Sequence, residues 1–200
     1  MSTAQRFCLA LLSLIAFAAL PGVAQAHVGI GSTTGFFDGM AHPFSGLDHI
    51  CAMFGVGLWA AQRGDRGIWL LPLAFVLVMT VGGLLGMAHV FLPFIEPGII
   101  ASVLVVGLLI AAAIRLPLLA SACLVALFAL FHGHAHGAEM PTSASGLAYG
   151  IGFLSSTIAL LLCGAVLGLA CRQLKSPWVY RTAGAAIVTC GLGLCAVYLG

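Results

Sequence analysis

The stretch W-L-L-P-L-A-F-V-L-V-M-T-V-G-G-L-L-G-M, Trp69 to Met87, decides the fold class. At about 1.5 Å of rise per helical residue it can cross ~30 Å of hydrocarbon, and it is apolar on every face. The run from Ala144 to Ala170 reads the same way. Of 200 residues, 62% are hydrophobic and only 6% charged, whereas an average soluble domain is about a quarter charged. Lipid is therefore the main solvent. A transmembrane barrel needs ~10-residue segments alternating apolar and polar, and these runs do not alternate. The expectation is an all-α, polytopic membrane helix bundle.

The N-terminus is a different object. Arg6 and the terminal amine precede a short apolar stretch, Phe7 to Leu20, then Pro21-Gly22 and the small-residue site Ala24-Gln25-Ala26. This reads as a signal peptide, residues 1–26, cut to leave His27 first in the mature chain. The alternative is an uncleaved first helix. A single transmembrane domain, residues 27–200, follows, with six helices at roughly 43–61, 68–91, 97–114, 116–132, 144–171 and 178–199. Proline marks several starts, at Pro43, Pro97, Pro117 and Pro177, where a missing N–H costs little.

Orientation follows from Lys and Arg in short loops. Arg63, Arg66, Arg115, Arg172, Lys175 and Arg181 all fall on one side, which is then the cytoplasm. Both termini of the mature chain are expected outside, in the inner (cytoplasmic) membrane of a bacterium. Glycines at four-residue spacing, such as Gly82 and Gly86 or Gly164 and Gly168, let helices approach closely. The mature cysteines, Cys51, Cys123, Cys163, Cys171, Cys190 and Cys195, form no C-x-x-C pair and read as small buried hydrophobes.

With this orientation every histidine lies toward the outer face. The first cluster is H-P-F-S-G-L-D-H, His42 to His49. If Pro43 opens the helix, His42 and His49 are two turns apart and share a face. A carboxylate at the depth of Asp48 is costly and should face the interior and a partner. That partnership is either part of an ion site or an Asp–His contact tying helices together. The second cluster is F-H-G-H-A-H-G-A-E, Phe131 to Glu139, read as a flexible loop of imidazoles and a carboxylate, suited to nickel, cobalt, zinc or copper rather than magnesium. The alternative is a loose histidine-rich buffer. His27 at a freed N-terminus and Glu96 before the third helix are further candidate ligands, and His89 stands between ligand and interfacial residue.

H-P-F-S-G-L-D-H resembles the H-x5-D-H signature of the HupE/UreJ family of nickel/cobalt permeases, and F-H-G-H-A-H-G-A-E resembles its F-H-G-x-A-H-G-x-E signature. The resemblance spans nearly the whole chain and implies uptake of Ni(II) or Co(II) as substrate, beside nickel enzymes such as hydrogenase or urease. It makes His42, Asp48, His49, His132, His136 and Glu139 the expected metal residues and puts His134 on a variable position. The chain is then no enzyme and holds no prosthetic group. Its partners are the lipid bilayer and the divalent ion, not nucleic acid, and a homo-oligomer is left open. Two rivals stand beside this reading. One is an intramembrane zinc-dependent hydrolase, which needs a rigid three-ligand site with one open position. The other is a haem subunit, which needs histidines paired across helices at matched depth.

Overall fold

The computed structural model describes residues 35–140, 146–173 and 177–200. The signal-peptide segment, its cleavage point, His27 and Lys175 lie outside these residues. The described chain is helical: α1 (Gly35–Ala41), a 3-10 turn (His42–Phe44), α2 (Leu47–Arg63), α3 (Gly67–Met87), α4 (Ile95–Ala111), α5 (Leu118–Ala138), α6 (Gly146–Gln173) and α7 (Pro177–Leu199). α3, α5, α6 and α7 are long and apolar enough to cross a membrane. The segments Phe36–Phe44 and Leu47–Arg63, bent by 82°, make a fifth such unit, and α4 is shorter at 17 residues.

The expected solvent shows in which residues are exposed. On α3, Leu73, Leu77, Val81 and Leu84 face outward, while Leu71, Phe75 and Met79 are buried. A helix apolar on both its inner and outer faces belongs in lipid.

Glycine seals the helix pairs. A Cβ on Gly133 or Gly137 of α5 would collide with the Met79 or Gly83 carbonyl of α3, and one on Gly82 or Gly86 with the Leu130 or His134 carbonyl of α5. Gly57 of α2 and Gly164 of α6 seal that pair in the same way, as do Gly107 of α4 and Gly184 of α7. At the end opposite the histidines, Arg63 donates to the Leu116 carbonyl and to Ser121 Oγ. The C-terminus of α2 is thereby tied to the turn between α4 and α5, and Arg172 lies against Gly64.

Two expectations about these elements need correction. The first long helix does not open at Pro43. Pro43 sits in the 3-10 turn, Ser45 Oγ donates to the His42 carbonyl at 2.6 Å, and Gly46 is extended, so α2 begins at Leu47. The helix ahead of it, α1, was not anticipated, and His42 and His49 do not share a helix. The second motif is also no loop, because α5 continues to Ala138 and Glu139 is its C-cap. Its glycines serve close packing against α3 rather than bending. Among the described cysteines no disulfide forms. Cys123 and Cys163 are exposed on helix faces, so the buried reading fails for these two and holds for Cys171.

Candidate metal centre

The break before α2 and the extension of α5 bring the two motifs together. His49 sits in the first turn of α2, and His42 lies in the preceding 3-10 turn. His132 and His136 are four residues apart on α5 and so lie on one face. The rings of His49 and His136 are 4.1 Å apart, those of His42 and His136 4.7 Å, and those of His42 and His49 6.3 Å. One ligand nitrogen from each of these three residues lies within 4.8 Å of the others. Imidazole nitrogens bind first-row metals such as zinc at ~2.0–2.1 Å, so opposite ligands on one ion can be at most ~4.2 Å apart. Small inward movements of the rings close the set around an ion.

His136 is 3% exposed and neither ring nitrogen has a hydrogen-bond partner among the described residues. Buried polar atoms are nearly always satisfied; two open nitrogens on one buried ring, beside two other imidazoles, make His136 a candidate ligand. The ring of Phe153 of α6 lies tilted against His136 at 4.4 Å, and that of Tyr149 lies 6.0 Å from His42. An apolar cavity of ≈ 360 Å³ reaches His136 between α3, α5 and α6.

Around this group the other motif residues fall into distinct places. Glu139 is at the open side, its Oε2 3.7 Å from His42 Nε2, an ion-pair distance and too long for a hydrogen bond. His42 holds the Glu139 carboxyl below its ordinary range, against the opposing effect of partial burial. Asp48 Oδ1 is 3.1 Å from His49 Nδ1, close but not aligned as a hydrogen bond. The carboxylate folds back over Gly46, where a Cβ would collide with it. It lies in the first turn of α2, where the helix dipole favours negative charge. Asp48 thus stands behind His49 rather than in the converging set. His132 is fully buried, its ring 5.3 Å from His49.

The remaining candidates lie elsewhere. His134, two residues from both His132 and His136, turns away and bonds the Val90 carbonyl through Nε2 at 2.6 Å. Of the three alternate histidines, two therefore face the converging group and one makes a structural contact. Glu96 is exposed in the first turn of α4 and is not part of the converging group. His89 is exposed in a left-handed conformation, φ 52°, at the end of α3. Its N–H donates to Gly86 and that of Val90 to Leu85, the backbone pattern of a helix stop. Sequence reasoning missed Ser102 on α4, which bonds His132 Nε2 at 2.9 Å. Its only signal is a lone hydroxyl within the apolar body of α4.

The comparisons with known proteins bear on the whole of this assembly. The family described as HupE / UreJ protein matches residues 15–194. Protein HupE of Rhizobium leguminosarum bv. viciae is 43% identical over 182 residues, covering 90% of this chain and 94% of that protein. No solved structure matches the chain. Since the match runs through every helix that builds the histidine group, the chain belongs to the HupE / UreJ family.

Proposed function

We propose that this protein carries a divalent transition metal ion, nickel or alternatively cobalt, from the outer face of the bacterial inner membrane into the cytoplasm. There it supplies nickel enzymes such as hydrogenase or urease. The observation that carries the reading is His136, buried with both nitrogens open and converging with His42 and His49. Family membership and the name of the Rhizobium relative support it.

The reading includes a cleaved signal peptide, residues 1–26, and six spans, α2 to α7, with α4 crossing as a helix of about 25 Å. Both mature termini are outside, from the one-sided distribution of Lys and Arg. Glu139 and His42 meet the hydrated ion at the open side and help strip its water. His42, His49 and His136 then hold it, with Asp48 behind His49 offsetting part of its charge and keeping the ring in place. His132 receives it deeper in the bundle. His27, when freed by cleavage, and Glu96 are outlying ligands at the entrance. Nitrogen and carboxylate donors suit nickel and cobalt, and binding must stay weak enough for release. A membrane potential of 100 mV supplies about 4.6 kcal/mol for a dication, from ~2.3 per charge.

Uptake of radiolabelled nickel and cobalt by cells expressing the chain tests this directly. Accumulation above cells carrying the His136→Ala variant is expected. Equal accumulation in both, at equal membrane levels, would sink the reading.

A further inference from the structure

His132 is fully buried, yet only one of its nitrogens is engaged: Nε2 lies 2.9 Å from Ser102 Oγ, and Nδ1 has no partner among the described residues. The serine settles which nitrogen bears the proton. Its Oγ lies 2.6 Å from the Ile99 carbonyl oxygen, a separation that two oxygens adopt only with a hydrogen between them. A carbonyl has no hydrogen to give, and a serine hydroxyl has one. That hydrogen is therefore spent on Ile99, and Ser102 Oγ can only accept from His132. A neutral imidazole that donates through Nε2 keeps a bare lone pair on Nδ1.

We infer that Ser102 is a positioning residue for the transported ion: it fixes His132 in the Nε2–H tautomer and so presents Nδ1 as a ready ligand below the outer imidazoles. The inference rests on the transport reading above. The arrangement is the neutral counterpart of the partner groups that orient metal-binding histidines through their second nitrogen. Ser102 is itself 1% exposed and locked by its own helix, so the acceptor cannot rotate away. An ion leaving the His42, His49 and His136 group then meets a nitrogen that need not lose a proton.

Two measurements test the serine, the first of them apart from transport. In protein labelled with 15N-histidine and reconstituted in bilayers, protonated and bare ring nitrogens give separate solid-state NMR signals, and a His132→Gln sample identifies those of His132. A protonated Nε2 and bare Nδ1 are expected in the wild type, with Ser102→Ala giving a mixture of tautomers. A wild-type proton on Nδ1 overturns the inference, whatever the variants do. In uptake assays Ser102→Ala should lower the maximal nickel rate about tenfold or more, with the half-saturating concentration little changed because the outer imidazoles are intact. Ser102→Thr, which keeps the hydroxyl, should recover most of the rate. Wild-type rates in a well-inserted Ser102→Ala protein overturn the proposal. A wild type that accumulates no nickel instead overturns the transport reading, and the NMR result still decides the role of the serine.

Discussion

His134 and His136 stand two residues apart on α5, one bonded to the Val90 carbonyl and the other buried with both nitrogens open. Their alanine variants should separate cleanly. His136→Ala should remove saturable nickel uptake while the protein still inserts. His134→Ala should leave the uptake of folded protein near wild type and lower its stability by about 1 kcal/mol, the net worth of one hydrogen bond, read as an earlier thermal transition in detergent. Loss of uptake in a stable His134→Ala protein would place that ring in the ion path after all. Asp48→Asn keeps size and hydrogen-bonding capacity but removes the charge behind His49. A unit pair ~4 Å apart is worth about 4 kcal/mol at an intermediate dielectric, so the initial uptake rate should fall about a hundredfold or more. Wild-type rates in a well-expressed Asp48→Asn protein would detach the carboxylate from the site. The two motifs made these positions legible, but not their division of labour. Alternate histidines look equivalent in a loop, and only the helical period of α5 sends one of three to another face.

At the scale of elements, hydropathy revealed where the long helices lie because lipid-facing and buried faces are both apolar. It was blind to the events at their ends. Pro43 is compatible with a helix start, and nothing in its neighbours' polarity records that Ser45 closes a turn and Gly46 extends the chain. The glycines of the second motif argue for a loop by intrinsic propensity, whereas packing against α3 overrides that preference. Gly137→Val tests this override: its side chain would run into the Gly83 carbonyl. A destabilisation of about 1–3 kcal/mol, typical of overpacking, should appear as a lower melting temperature with uptake reduced in proportion. An unchanged melting temperature would mean that the α3–α5 contact is looser than described.

Across the described residues the arginines and the histidines gather at opposite ends of the helices. Single cysteines at Arg66 and Ala138, in a background without other reactive thiols, should be modified by an impermeant reagent from outside only at position 138. The reverse pattern would invert the direction of transport. The bundle consists of three main pairings, α2 with α6, α3 with α5 and α4 with α7. Exchanging the first three long helices for the last three maps this set onto itself, although the sequence carries no visible repeat. Such pairing lives in backbone contacts, which different side chains can preserve. His42 and His49 travel with the α2–α6 pair and His136 with the α3–α5 pair. An ion bound by all three would act as a bolt across the boundary between the two pairs, and sliding of one pair past the other would draw the bolt. Spin-label distances should therefore stay fixed within each pair and narrow in distribution between α2 and α5 when nickel is added; a boundary equally mobile with and without the ion would show that cargo and movement are uncoupled.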